Sequence, residues 1–186
     1  KSKQRLNTGF ESRSGVEYFF RSRHKINPRI TLESYLAQLQ QGSELQFVEL
    51  RNYKIRSQVA EPKIQYQSGA SSRTAFSYRY KKSNNQFGAE GALIQELKLE
   101  IISQPAIRWS FRSAISFVHI DYKGEDNPWL QYSMLQGLRP GKNLLINLNI
   151  DREINSTTLL RLGYDARKSE GGRYIQTGRA QVIANF

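Results

Sequence analysis

Asn143-Leu144-Leu145-Ile146-Asn147-Leu148-Asn149-Ile150-Asp151 and, one short turn later, Thr157-Thr158-Leu159-Leu160-Arg161-Leu162-Gly163-Tyr164-Asp165 decide how this chain is to be read. In the first stretch Leu144, Ile146, Leu148 and Ile150 share one face, while Asn143, Asn147, Asn149 and Asp151 share the other with Leu145. A repeat of two is the period of an extended strand, whose successive side chains leave on opposite sides. Asn155-Ser156 closes the pair into a hairpin.

The same rhythm extends in both directions. Arg139-Pro140-Gly141-Lys142 fits a type II turn, with proline fixing the first central dihedral and glycine accepting positive φ at the second. Glu170-Gly171-Gly172 closes a second turn, and residues 173–186 form the last strand, with Ala180, Val182, Ala184 and Phe186 on one face. Upstream, Ile107, Trp109, Phe111, Ile115 and Phe117 oppose Arg108, Ser110, Arg112, Ala114 and Ser116. Past Phe117 the apolar phase passes to Val118, Ile120 and Tyr122, which implies a bulge or an exit from the buried zone. Glu125 and Asp126 lie in a polar loop, and residues 129–136 are expected to form another strand.

Leu97, Leu99 and Ile101 alternate with Glu96, Lys98 and Glu100 up to a break at Gln104-Pro105. Phe76, Tyr78 and Tyr80 alternate with Ser77, Arg79 and Lys81, entered through the Gly69-Ala70-Ser71-Ser72 turn and followed by a loop over residues 82–91. Residues 47–59 read as extended, with a break at Pro62. Val16, Tyr18 and Phe20 alternate with Glu17, Phe19 and Arg21. Residues 32–41 read as strand, although Leu32, Tyr35, Leu36 and Leu39 also fit helical spacing.

Composition narrows the class. The 186 residues suit one domain, and the absence of cysteine removes disulfides and every cysteine-based catalytic or metal scheme. No apolar run is long enough for a membrane-spanning helix, so any membrane role belongs to a barrel. A net charge of +12 raises nucleic acid as a partner. The arginines, however, are spread singly along the strands rather than clustered, as in a solvated face or polar lumen.

Alternation alone is the same for a soluble barrel with its apolar face inward and a membrane barrel with that face outward. Three features favour the second. The strands match a tilted membrane span. The apolar faces of 107–117 and 158–164 carry no charge, and aromatics such as Tyr122, Trp129, Tyr132, Tyr164, Tyr174 and Phe186 gather near strand ends, as interfacial girdles do.

Leu130-Gln131-Tyr132-Ser133-Met134-Leu135-Gln136-Gly137-Leu138-Arg139-Pro140-Gly141-Lys142-Asn143 resembles the EMLEGLQPGNN stretch near the end of large outer-membrane β-barrel proteins of the Bacteroidota type. Tyr164-Asp165-Ala166-Arg167-Lys168-Ser169 is similar to the YEGRKS run of that family, Thr177-Gly178-Arg179-Ala180-Gln181-Val182 to its VGRxQV strand, and Arg51-Asn52-Tyr53-Lys54-Ile55-Arg56 to its RNYRIR. The resemblance implies an outer-membrane location and the carboxy-terminal part of a longer protein. It brings no catalytic residue. The final strand likewise resembles the terminal signal read by the barrel-assembly machinery, through Ala180, Val182, Ala184 and Phe186.

The expectation is therefore an all-β, antiparallel up-and-down outer-membrane β-barrel of about 8–10 strands, or the carboxy-terminal wall of a larger one. It occupies residues 1–186 as one domain, with residues 1–44 the least regular. Arg79, Glu96, Lys98, Glu100, Arg108, Arg112, Asp151, Arg161 and Asp165 should face the lumen. Ile107, Trp109, Phe111, Ile115, Phe117, Leu144, Ile146, Leu148, Ile150, Leu160, Leu162 and Tyr164 should face lipid. His119 beside Asp121 reads as a polar rim pair, and Glu125-Asp126 as a solvated loop rather than a calcium site. No catalytic constellation, cofactor or metal is expected. The expected role is structural, transport or anchoring within an envelope complex. The expected partners are outer-membrane lipid, the assembly machinery and other envelope proteins, with no nucleic acid. The alternatives are a soluble barrel or sandwich binding an anionic partner through Arg and Lys, and a lipid-modifying barrel enzyme.

Overall fold

The computed structural model describes residues 2–6, 9–45, 52–124 and 128–184, with side chains from residue 12 onward except at 45. Ten strands form a single antiparallel sheet in sequence order: β1 Ser2–Leu6, β2 Gly9–Lys25, β3 Ile30–Leu45, β4 Tyr53–Ser68, β5 Ser72–Asn85, β6 Gly91–Ala106, β7 Trp109–Lys123, β8 Gly141–Glu153, β9 Thr158–Ser169 and β10 Ile175–Ala184. The up-and-down, all-β reading holds. One helix, α1 Pro128–Leu135, interrupts it between β7 and β8. Among the described residues no ladder joins β10 to β1, so both edges of the sheet are open.

One end carries the tight connections 26–29, 69–71, 107–108 and 154–157, and the other the longer ones 46–52, 86–90, 124–140 and 170–174. Local chemistry sets the tight turns. The Asn27 side chain accepts from the Arg29 and Ile30 amides at 2.8 Å, and the Asn155 side chain from the Thr157 amide at 3.0 Å. Gly69 and Gly171 adopt positive φ in their turns, and Gly141, where the sequence led to a type II turn, has a φ of 90° at the first residue of β8.

Several boundaries differ from the sequence reading. Residues 32–41 are strand, inside β3. Pro62 does not end β4: β3 stays in register with it (Ser34 opposite Pro62), while the ladder to β5 lapses at Glu61 and Pro62, where proline has no N–H to give. Gln104-Pro105 is a register shift within β6 rather than its end. β5 runs on to Asn85, shortening the expected 82–91 loop. Residues 129–136 are not a strand. Pro128 opens a helix there, a position where its missing N–H is harmless, and Gln136 and Gly137 close it with φ of 56° and 77°. Residues 47–51, Glu125, Asp126 and Phe186 lie outside the described residues, so the start of the 47–59 strand and of the Arg51–Arg56 match, the polar loop and the last position of the terminal signal are not placed.

Ladder register divides the strands into two faces. The outer face gathers Tyr18, Phe20, Leu36, Ile64, Phe76, Tyr78, Leu97, Leu99, Ile115, Phe117, Leu144, Ile146, Leu148, Leu160, Leu162 and Val182. Among the described residues nothing covers it: Tyr18 is 71 %, Phe117 60 % and Val182 65 % exposed. This apolar belt runs diagonally. Tyr18 of β2 stands level with Gln38, Gln58 and Lys82, whereas Leu162 of β9 stands level with Ile150, Phe111, Ser103, Ser72 and Ser68. The belt thus slides about ten residues along β4 while crossing about seven strands, which at ~3.3 Å per residue and ~4.8 Å per strand is a slope of ~45°. Strands of membrane barrels tilt by about that amount.

The sequestered core is on the inner face, at the long-loop end. Ile55 of β4, Ala92 and Ile94 of β6, and Val118 and Ile120 of β7 receive Leu130, Met134 and Leu135 of α1, with Tyr53, Tyr122, Leu138 and Leu145 around them. Leu135 and Met134 are 0 % and 1 % exposed. Burying each such side chain contributes about 1.5–3 kcal/mol. The apolar shift past Phe117 therefore marks no bulge but the exit of β7 from the outer apolar belt, where His119 and Asp121 follow on that face. β7 continues unbroken, and its apolar residues change from the outer face to the inner one where the helix docks.

Candidate functional site

The inner face between the helix seat and the tight turns is polar. Most of its carboxylates are paired with cations, largely from other strands, because antiparallel pairing sets directly opposed side chains a few ångströms apart. Arg79 of β5 opposes Glu96 of β6, and its guanidinium reaches Glu61 (Nε to Oε2, 2.7 Å) and Glu96 (Nη1 to Oε2, 3.4 Å). Glu100 takes Lys98 at 2.6 Å and Lys63 at 3.1 Å. Asp151 of β8 joins Arg161 of β9 at 3.0 Å and Arg112 of β7 at 3.3 Å. Asp165 accepts from Arg179 of β10 at 2.6 Å and from the Asn147 amide, and Asn149 in turn donates to Asn147 at 2.7 Å. Toward the other edge Arg23 pairs with Glu33 at 3.2 Å.

These pairs tie β2 to β3, β4 to β5 and β6, and β7 through β10 to one another. Most are half-exposed, so each contributes about 0.2–1 kcal/mol and is weakened by salt. Their sum is a stiffened polar wall. A concavity of about 730 Å³ opens against it, lined among others by Glu96, Glu100, Arg112, Asn147 and Asp165. Lys81 and Arg167 face the same side and make no ion pair among the described residues, which leaves the wall net positive. Such a surface attracts anions and hydrates polar solutes.

Of the residues expected to face the lumen, Arg79, Glu96, Lys98, Glu100, Arg112, Asp151, Arg161 and Asp165 lie together on this inner face. Arg108 does not. It belongs to the β6–β7 turn, where its guanidinium donates to the Ile154 carbonyl at 3.3 Å and its own carbonyl accepts from the Glu153 amide at 2.9 Å, joining two tight turns. Ile107 is likewise a fully exposed turn residue rather than part of the apolar face, because the register shift at Ser103–Ala106 ends the strand before it. Trp109, Phe111, Ile115, Phe117, Leu144, Ile146, Leu148, Ile150, Leu160, Leu162 and Tyr164 all lie on the outer face. Trp109 is at its margin, under the Arg152 guanidinium at 4.8 Å. Ala180, Val182 and Ala184 share that face on β10.

Sequence reasoning missed Glu61, Lys63 and Arg179, whose partners are set by register, and it missed the helix seat. The Val118-Ile120-Tyr122 shift was the signal for the seat. Both histidines are on the outer face, away from the polar wall, and His119 Nε2 lies 3.3 Å from Asp121. No group of three metal-ligating side chains occurs among the described residues.

No protein-family model and no curated protein matches the sequence. Solved structures do match the fold. Outer-membrane expressed OmpT of Vibrio cholerae superposes with a TM-score of 0.58 at 7 % identity, covering 89 % of this chain and 52 % of that one. The in-vitro folded trimer form of OmpT, from the same organism, gives 0.59 at 7 % identity with the same coverage. This chain therefore spans about half the length of those proteins, and what it shares with them is the antiparallel up-and-down wall of an outer-membrane β-barrel.

Proposed function

We propose that this chain is a lipid-embedded wall of an outer-membrane β-barrel, of the Bacteroidota type whose motifs it resembles, with a structural, transport or anchoring role and no enzymatic activity. The observation that carries the reading is the diagonal apolar belt, uncovered on the outer face and backed by an ion-paired polar inner face. A soluble protein of this size would bury its large apolar side chains, and an exposed apolar band this wide would drive aggregation in water. In a bilayer the same band is the solvated surface.

The open edges at β1 and β10 bear on the assembly. Lipid cannot satisfy unpaired strand edges, so in a membrane they are closed by further strands. Those strands belong to the remainder of a longer barrel, in agreement with the half-length match to solved barrels. The short turns then face the periplasm and the longer connections, with α1, face outward. Assembly goes through the barrel-assembly machinery, and other envelope proteins dock on the loops.

The test is extraction. Expressed behind an export signal, the chain should resist carbonate and urea washes of isolated envelopes and come out in detergent without a heat shift in gel mobility, which would instead mean that its edges close on each other. Release into the aqueous wash would overturn the membrane reading.

A further inference from the structure

Above the belt, toward the long loops, the outer face turns basic. Arg56 of β4, Lys82 of β5, Lys142 of β8 and Lys168 of β9 are exposed there and make no ion pair among the described residues. They fall into two groups. Arg56 and Lys82 are diagonal neighbours across the β4–β5 ladder, since Gln58 opposes Lys82. On the other side His119 opposes Lys142 and Leu144 opposes Lys168. Two acids are close. Asp121 is engaged with His119 at 3.3 Å, and Glu170 accepts from the Lys142 backbone amide at 2.8 Å.

Lys142 lines a shallow outer groove of about 240 Å³, and Lys168 stands beside it, opposite Leu144 on the next strand. Tyr78, Leu97 and Phe117 form its lower, apolar part, continuous with the belt, and Gln95, His119 and Lys142 its upper, polar part. A groove that is apolar where the belt ends and cationic just above it is complementary to one molecule: an amphiphile whose acyl chain lies along the belt and whose headgroup is anionic. The interior cations do not share this character, because most of them are spent on carboxylates.

We infer that the β5–β9 outer face holds a phosphorylated lipid of the leaflet on the long-loop side, with its acyl chain against Tyr78, Leu97 and Phe117 and its phosphate held by Lys142 and Lys168 with Gln95 and His119. This rests on the membrane reading above. A basic side chain near an anionic headgroup is worth about a fivefold gain in binding, so the two lysines together should matter by at least tenfold.

The experiment inserts the chain into phosphatidylcholine vesicles containing a small fraction of lipid A, extracts it in mild detergent, and measures the lipid A retained. The native chain is compared with the pair K142Q/K168Q and with K81Q, which removes an inner-face cation. Retention by the native chain and by K81Q, a loss of at least tenfold in K142Q/K168Q, and no displacement by millimolar inorganic phosphate are expected. Insertion with equal retention in all three, or displacement by inorganic phosphate, would overturn the lipid site and leave the membrane reading intact. Failure to insert even into vesicles of phosphatidylcholine alone would overturn both.

Discussion

Asp151 is the residue on which the carboxyl-terminal half of the inner wall turns, since it is the common partner of Arg112 and Arg161 on the two strands beside it. Replacing it with asparagine leaves two guanidiniums facing each other. Asp151→Asn should lower stability by about 1–2 kcal/mol, read as a lower urea midpoint for loss of the β-sheet circular dichroism signal, and high salt should shrink the difference. An unchanged midpoint at low salt would sink the idea that this cluster ties β7 to β9. Asn143 has a different task. Its buried side-chain amide donates to the Arg139 and Gly141 carbonyls at 2.8 and 3.1 Å and fixes the turn that brings the helix back to β8. Asn143→Ala should cost about 1–3 kcal/mol and increase cleavage of the 136–142 connection by a protease of broad specificity. Alternation in the sequence placed both residues on the polar face. It could not show Asn143 spent on backbone carbonyls, because that depends on the chain folding back over the inner surface.

Among the elements, β8 separates the two faces most cleanly. Ile146→Arg would place a charge within the apolar belt, at a cost of about 2–4 kcal/mol if lipid lies there, whereas Asn147→Arg points to the polar wall and should be tolerated. Insertion yields of the two variants into vesicles measure the difference, and equal yields would contradict the face assignment. The helix is tested through Leu135, which is fully buried. Leu135→Asp should release α1 from its seat, exposing the 128–140 connection to protease, while the strands keep their β-sheet circular dichroism signal. If the connection stays protected, the seat is not what holds it. The strands were legible because period two survives wherever one face is uniformly apolar. They run longer than the sequence indicated, up to 17 residues in β2, because beyond the belt both faces are polar and the pattern vanishes while the ladder continues. The helix was not legible. Its eight residues are too few to establish a 3.6-residue repeat, and it is held by contacts with strands far away in sequence.

At the scale of the molecule, the slope of the belt is the property no single strand contains. It predicts that polarised infrared spectroscopy of the chain in oriented bilayers will report strands tilted by about 45° from the membrane normal. Upright strands would mean that the belt is not the membrane zone. Periodicity gave the order of the strands and their two faces, but the slope needed the ladder register, and so did the partners in the ion network. That same register makes length changes in this chain come in steps. Inserting one residue into a strand turns every later side chain in it inside out, and charge meets hydrocarbon. Inserting two restores the faces and merely slides that stretch by about 6.6 Å along its neighbours. Such a wall can drift in thickness and height over evolution only by even increments, and homologous strands should differ in length by pairs of residues.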